Sequence, residues 1–230
     1  MSKIKYDGYE LEYFDEAFNF RKYQIQLIKK YLQKNLAEVG PGQGGLVEYY
    51  KKFVKEICLI EADKNLYQLL KKKFKNKKIN VKNNKISNIN NKFETIIYFD
   101  VLEHIKNDLN EVRDAKKKLH KNGYLIFSVP AHQYFYNNFD KSVGHVKRYS
   151  KSDFKKIESK TGLKIEKLVY YDSIGFLFLI LNKIFSLSQK NLNHKIKFWN
   201  LLIPISKIID FVTFNNFGKS LLCVFRNDQK

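Results

Sequence analysis

The chain has 230 residues, 44% of them hydrophobic and 15% aromatic, and a formal net charge of +20. That is enough apolar material for one large core, and 10 glycines with 3 prolines exclude a fibrous or disordered chain. The charge bears on partners and not on fold. It leaves nucleic acid, an anionic membrane surface and a merely solvated lysine-rich face all open, because the lysines are spread along the chain, with clusters at Lys71-Lys72-Lys73, Lys77-Lys78 and Lys116-Lys117-Lys118.

The two cysteines, Cys58 and Cys223, lie inside apolar runs and show no metal-ligand spacing. A disulfide framework is not expected from them, and a reducing compartment is. Met1 to Glu12 is polar and lacks the apolar stretch of a secretory signal. The longest apolar run, Ile174 to Leu181 with an uneven extension to Leu187, falls short of the ~20 residues that span a bilayer. The expected location is therefore the cytoplasm, with peripheral contact at the inner face of the membrane as an addition.

Phe14, Phe18, Ile25, Ile28 and Leu32 recur at helical spacing, which predicts an amphipathic helix over 14–34. Leu36 to Val39 reads as a strand, Leu46 to Phe53 as a helix, and Ile57 to Ile60 as a second strand ending in Glu61. Leu66, Leu69, Leu70 and Phe74 mark a helix, and Ile79 with Val81 a weak third strand. Thr95 to Phe99 is a fourth strand ending at Asp100. Leu109, Val112, Ala115 and Leu119 mark a helix stopped at Asn122-Gly123. Tyr124 to Val129 is a fifth strand closed by Pro130. Ser152-Asp153 caps a helix that runs to Lys160 and stops at Thr161-Gly162. Leu163 to Tyr171 and Ser220 to Phe225 are the last strands. Alternating strands and helices call for right-handed crossovers and a parallel sheet covered on both faces.

The segment Glu38-Val39-Gly40-Pro41-Gly42-Gln43-Gly44 turns the first strand into a helix. Glycines there permit positive φ and a close approach of backbone to ligand, at the sheet edge where ligands bind in open α/β folds. Such a loop suits either a dinucleotide or an S-adenosyl ligand. Glu61, at the end of the next strand, offers a carboxylate to both ribose hydroxyls. Glu38 separates the two ligands. A carboxylate gains nothing beside two phosphates, but it suits the ammonium and sulfonium of S-adenosylmethionine.

Leu36 to Gly44 resembles the first motif of class I S-adenosylmethionine-dependent methyltransferases, and Ile60-Glu61-Ala62-Asp63 resembles the acidic end of their second strand. The run from Phe93 to Ile105, with its Val101-Leu102-Glu103-His104-Ile105 tail, is similar to their fourth-strand motif. Asn122 to Pro130 is similar to the fifth. Gly144-His145-Val146-Lys147-Arg148-Tyr149-Ser150 resembles a block of the bacterial small-molecule branch. The resemblance implies an α/β, doubly wound Rossmann-like sheet of seven strands, the last antiparallel, with helices on both faces. It implies S-adenosylmethionine as cofactor, lined by Gly40, Gly42 and Gly44. Glu38 and Asp100 would lie near its methionine part, Glu61 and Ala62 by its ribose, and Ile86 against its adenine. Phe20-Arg21 resembles an aromatic-Arg pair of the family's N-terminal lid, which makes Arg21 a candidate for the cofactor carboxylate. One departure concerns the adenine: the family often carries an acid where Lys85 stands here, and lysine accepts no hydrogen bond. Asn84 is the candidate substitute.

Methyl transfer from a sulfonium is an in-line displacement, for which the protein supplies alignment and, for a hydroxyl acceptor, a base. Of the five histidines, His145 is the first candidate base, since it follows a glycine in a loop at the substrate end of the sheet. A purely structural role in ordering that loop is its alternative. His104, His132, Tyr136, Arg148 and Tyr149 are candidates for the acceptor pocket, with Tyr134, Phe135 and Phe139 as an aromatic wall. No metal set is predicted.

Residues 174–214 are unusually apolar and punctuated by Lys183, Lys190, Lys195, Lys197 and Lys207. Such helices lie in a membrane interface, cover a pocket or form a homodimer face. The expected organisation is a helical lid over 1–34, an S-adenosylmethionine-binding catalytic domain over 35–173, an apolar helical insertion over 174–214 and the catalytic domain's final strand over 215–230. The expected function is methyl transfer to a small-molecule, glycan or lipid-linked acceptor, at oxygen. The rivals are an RNA methyltransferase that uses the basic surface and a non-catalytic partner that keeps only the fold. Against nucleic acid, the fourth strand ends Phe99-Asp100-Val101-Leu102, without the Pro-Pro-aromatic motif of base amino methylation, and neither cysteine sits in a Pro-Cys loop.

Overall fold

The computed structural model describes residues 17–75, 77–185 and 192–228. Seven strands form one sheet: β1 Asn35–Val39, β2 Glu56–Glu61, β3 Ile79–Asn83, β4 Phe93–Phe99, β5 Leu119–Pro130, β6 Lys164–Tyr171 and β7 Ser220–Arg226. Their order is β3-β2-β1-β4-β5-β7-β6. β7 runs antiparallel to both its neighbours, and the pairs from β3 to β5 are parallel. The doubly wound sheet with an antiparallel last strand is therefore as expected.

The inner strands β1, β2, β4 and β7 are nearly continuously apolar because both faces of the sheet are covered there, whereas the edge strands β3 and β6 carry lysines and are only partly buried. Alternate residues enter opposite cores. Ala37, Ile96, Tyr98, Leu125 and Phe127 point to one, with helices α4 (Asp108–Lys117) and α6 (Lys151–Thr161) supplying Val112, Ala115, Phe154 and Ile157. Leu36, Leu59, Ile97, Ile126 and Leu222 point to the other. That face is covered by α1 (Phe18–Ile28), α2 (Val47–Tyr50), α3 (Lys64–Lys73) and α8 (Leu192–Val212). Of two further helices, α7 (Ser173–Phe185) packs Ile174 and Phe178 against the second core, and α5 (Asn138–Ser142) is a short helix that adds no apolar residue to either.

Three local expectations need correction. The first helix is shorter than 14–34: its α-helical part is Phe18–Ile28, followed by a tight turn at Lys29–Tyr31, and Phe14 lies outside the described residues. It ends there because β4 captures the chain. Gln33 N–H donates to Thr95 Oγ1 at 3.1 Å and Asn35 N–H to Glu94 Oε2 at 2.9 Å. Leu119 belongs to β5, opposite Phe93, and Asn122-Gly123 is an irregularity inside that strand and not a helix stop. Asn122 has φ 61°, and a Cβ on Gly123 would lie 2.8 Å from the Glu94 carbonyl oxygen, so only glycine lets the two strands close up again. The cap of α6 is Ser150, not Ser152-Asp153: Ser150 and Asp153 form a reciprocal capping box, and Gly162 ends the helix at φ 68°.

Helices α7 and α8 carry the apolar stretch and are tied to the sheet by a buried polar network. Asp210 accepts from the backbone N–H of Asp172 (2.8 Å) and of Ser173 (3.0 Å), and from the Tyr23 hydroxyl (2.7 Å). Asp172 itself, at φ 66°, accepts from Trp199 Nε1 at 3.0 Å and from Gly175 N–H at 2.9 Å. Phe198, Leu201, Ile205, Ile208 and Val212 remain exposed along one face of α8. Among the described residues no helix is long and apolar enough to cross a membrane. Cys58 and Cys223 are both free and buried.

Candidate functional site

The carboxyl ends of β1, β2 and β4 converge with α1 at one edge of the sheet. Gly40, Gly42 and Gly44 take φ of 65°, 57° and 72°. Gly40 N–H donates to the Ile60 carbonyl at 2.9 Å, which holds the loop against β2. A Cβ on Gly40 would lie 2.7 Å from Val101 Cγ2, and one on Gly44 2.8 Å from the Phe74 ring. Any other residue there strains the backbone and collides with its neighbours.

Two buried carboxylates flank this loop. Glu38 accepts the Tyr50 hydroxyl at 2.6 Å, and burial next to that carboxylate pushes the tyrosine pKa well above its ordinary value. Glu61 accepts from Asp63 N–H at 2.9 Å. Burial raises the Glu61 pKa, against the lowering effect of the amides of Asp63, Gly42 and Ala62. Ala62 is exposed at the rim. Ile86 departs from expectation: it is wholly buried in the core, so it supports the turn at Ile86–Asn88 and offers no surface to an adenine. Lys85 is exposed, and the Asn84 side-chain oxygen already accepts from Lys85 N–H at 2.9 Å.

Asp100 leaves β4 at φ 56°. Arg21 Nη1 lies 3.4 Å from Asp100 Oδ2 and donates to Gln24 Oε1 at 2.9 Å. Gln24 Nε2 in turn donates to the Tyr171 hydroxyl at 3.0 Å, and Tyr171 bonds Ser128 Oγ at 2.6 Å. This chain of polar groups links α1 to the ends of β4, β5 and β6. Sequence reasoning passed over Gln24, Ser128 and Tyr171. The one available signal was a serine inside an otherwise apolar, doubly covered strand.

A second cluster follows β4. Glu103 and His104 lie on a tight turn at Leu102–His104, and His145 follows α5. His145 Nδ1 bonds Asp140 Oδ1 at 2.8 Å, and Arg148 Nε donates to the same carboxylate at 2.9 and 3.1 Å. Burial works to raise the Asp140 pKa, but the bonds from His145 and Arg148 outweigh it and hold the carboxyl below its usual range. His145 Nε2 is 3.9 Å from Glu103 Oε1, and the His104 and His145 rings meet edge to face at 4.8 Å. Burial, with His145 adding to it, pushes His104 down to about 4. Glu103 is buried, and neither carboxylate oxygen has a hydrogen-bond partner from another residue. Burial, with Asp100 and Asp140 nearby, raises its pKa well above the carboxylate range.

The other expected pocket residues separate. Tyr136 donates to the His145 carbonyl at 2.8 Å and so braces the loop. Arg148 is buried in its ion pair with Asp140. Tyr149 is a core residue and lines no cavity: its ring stacks on Phe154 and its hydroxyl donates to Asp108 at 3.0 Å. His132, at φ 64°, is engaged by other segments. Its Nε2 lies 3.0 Å from the Gly218 carbonyl oxygen, and its ring stacks on Tyr170. Of the aromatic wall, Tyr134 is exposed and sits under Lys183.

The model of a methyltransferase domain family matches residues 14–168. A stretch of 53 residues is 42% identical to ribosomal RNA small subunit methyltransferase A of Hydrogenobaculum sp. (strain Y04AAS1), and covers 23% of this chain and 21% of that protein. In three dimensions the chain is similar to an S-adenosylmethionine-dependent methyltransferase from Clostridium acetobutylicum (TM-score 0.59, 13% identity, covering 93% of this chain and 92% of the other). It is also similar to the N-methyltransferase NodS from Bradyrhizobium japonicum in complex with S-adenosyl-L-homocysteine (TM-score 0.56, 16% identity, covering 93% and 88%).

Proposed function

The chain belongs to the methyltransferase domain family, and we propose that it transfers the methyl group of S-adenosylmethionine to an oxygen of a small-molecule, glycan or lipid-linked acceptor. Its residues fit that cofactor. The glycine loop, with its three positive-φ glycines, brings bare backbone to the sheet edge, and Glu38, Glu61 and Asp100 give that edge the negative character a sulfonium and an ammonium need. Bound there, S-adenosylmethionine supplies an electrophilic methyl group for in-line transfer.

The observation that carries the oxygen reading is the Asp140–His145 pair. Asp140 holds Nδ1 at 2.8 Å and leaves Nε2 to take a proton, which is the orienter-and-base arrangement that a hydroxyl nucleophile requires. The acceptor's proton passes to Nε2 of His145. Arg148 and Tyr136 act through the loop that carries the imidazole, as positioning residues. The lipid-linked alternative for the acceptor draws on the exposed apolar face of α8, bordered by Lys195, Lys197 and Lys207.

A nucleic-acid substrate draws on a basic cleft of about 570 Å³ that includes Lys92, Arg113, Lys116, Lys121 and Lys160. That cleft lies where β4 and β5 begin, the edge opposite the glycine loop, and a strand length of roughly 20 Å separates the two. Charge so placed does not deliver a base to the methyl donor, so the small-molecule reading is preferred.

The test is His145→Ala with a panel of hydroxyl and amine acceptors, scored by S-adenosylhomocysteine release. Turnover of hydroxyl acceptors should fall by about 10²–10⁴ while S-adenosylhomocysteine binding is kept. Unchanged turnover overturns the base assignment, and turnover of amines alone overturns the oxygen reading.

A further inference from the structure

We propose that Glu103, His104 and His145 form a binding site for a divalent transition-metal cation of the zinc class. The three side chains bring one carboxylate oxygen and two ring nitrogens within 4.8 Å of one another. Zinc-type bonds of ~2.0–2.2 Å put tetrahedral ligands about 3.4 Å apart. The Glu103 to His145 separation of 3.9 Å closes to that with a small rotation of the imidazole.

Glu103 supplies the second, independent observation. Its side chain is 0% exposed, and neither oxygen receives a hydrogen bond from another residue. A buried carboxylate is ordinarily paired or bound to a metal. The neighbouring cation, Arg148, is already engaged by both oxygens of Asp140. The carboxylate of Glu103 is instead aimed at the imidazole edge of His145.

The outer contacts fit as well. A metal-binding histidine generally gives its second ring nitrogen to a carboxylate, which fixes the tautomer and leaves the other nitrogen for the metal. His145 does this through Asp140, with Nε2 left on the Glu103 side. Two imidazoles with one carboxylate suit zinc-class ions better than magnesium or calcium, which prefer all-oxygen shells. Three protein ligands also leave a coordination position open.

The inference deepens the oxygen reading given above and rests on it for the purpose of the open position, which would receive the acceptor oxygen. There the acceptor O–H bond breaks with its proton passing to water. The oxygen lone pair then forms the O–CH3 bond as the C–S bond breaks and its electrons stay on sulfur. The base role given to His145 above belongs to the metal-free chain; with the cation held, Nε2 is a ligand and water takes the proton in its place, while the acceptor atom is oxygen in both states.

The experiment uses the full chain freed of metal by EDTA. It is titrated with Co2+ under visible spectroscopy and with Zn2+ and Mg2+ by calorimetry. The expected result is one equivalent of Co2+ with a low-coordinate absorption band, Zn2+ competing for it, and Mg2+ failing to. Glu103→Gln, which keeps the side-chain volume, should weaken Zn2+ binding at least 100-fold, and Asp140→Asn by about 10–100-fold. Circular dichroism melting and S-adenosylhomocysteine calorimetry on the same variants report folding. No stoichiometric Co2+ binding, or binding unchanged in Glu103→Gln, overturns the site. Loss of metal binding with S-adenosylhomocysteine binding intact is a result about the metal site alone. A wild-type chain that binds Co2+ but no S-adenosylhomocysteine overturns the methyltransferase reading and leaves the metal site standing.

Discussion

Arg21 and Asp100, 79 residues apart in the chain, meet at the carboxyl edge of the sheet with Nη1 3.4 Å from Oδ2. The guanidinium is mostly buried and the carboxylate half open, at 10% and 44% side-chain exposure. The pair therefore joins a covered helix to the open rim where the cofactor's methionine part is proposed to sit. Arg21→Ala should weaken S-adenosylhomocysteine binding about tenfold, the scale of one charged hydrogen bond of about 1.5 kcal/mol. The loss should be smaller in an Asp100→Asn background, since the two groups share one interaction. Calorimetry on the four proteins of that cycle measures both, and full additivity would remove the coupling.

Gly40→Ala should destabilise the protein by about 1–3 kcal/mol through its φ of 65°, with a further penalty from the contact with Val101. Adding Val101→Ala makes room for the Cβ and should recover only the second part. Urea unfolding of the single and double variants separates strain from collision. Recovery of full stability in the double variant would contradict the strain.

Glu61 makes a pH prediction. Its folded pKa is raised above the ordinary value of 4.5, chiefly by burial. Its contribution to stability is therefore complete below about 4.5 and is lost as pH rises through the folded pKa. Glu61→Gln cannot ionise. At neutral pH it should be at least as stable as the natural chain, and that advantage should vanish on acidification. Its affinity for S-adenosylhomocysteine should fall tenfold or more, because the charged acceptor is gone. Unfolding curves across pH, set beside calorimetry, give both numbers.

Much of the site was legible because it follows from strand-end chemistry. Glycines after β1 and an acid after β2 announce a ligand edge whatever the rest of the chain does. Depth was not legible. Tyr149 and Ile86 sit in motifs at the site, yet both side chains turn into the core, since a motif gives position along the chain and not the direction of a residue. Nor did any local pattern foretell Asp140, Gln24 or Tyr171, whose partners come from remote segments. Glu103 stood only as part of the fourth-strand motif's tail, and its burial comes from a remote loop, with Val146 N–H donating to the Glu103 carbonyl at 2.7 Å and His145 beside its carboxylate.

Asp210→Ala should cost about 3 kcal/mol or more. It removes the acceptor of two backbone N–H groups and of the Tyr23 hydroxyl, all buried. Chemical unfolding at neutral pH measures the loss. A change below 1 kcal/mol would mean that the network does not hold α8 onto β6.

The exposed face of α8 makes the lipid-linked reading testable. The natural chain should float with anionic vesicles at low salt and less so at high salt. Ile205→Glu with Ile208→Glu should abolish flotation and shift stability by no more than about 0.5 kcal/mol each, since both side chains are exposed. Flotation unaffected by these changes would assign the charge, and not the apolar face, as the cause.

The position of β7 between β5 and β6 has a consequence for biogenesis. Until residues 220–226 have left the ribosome, β5 and β6 have no partner on their facing edges, and the sheet ends in a bare, apolar β5. Both exposed edges belong to strands rich in isoleucine, leucine, valine and tyrosine, the composition most prone to pairing with another chain. The nascent protein must therefore hold a hydrophobic gap open for the whole synthesis of α7 and α8. Its time of greatest exposure to chaperones, or to aggregation, falls between the emergence of β5 and that of β7.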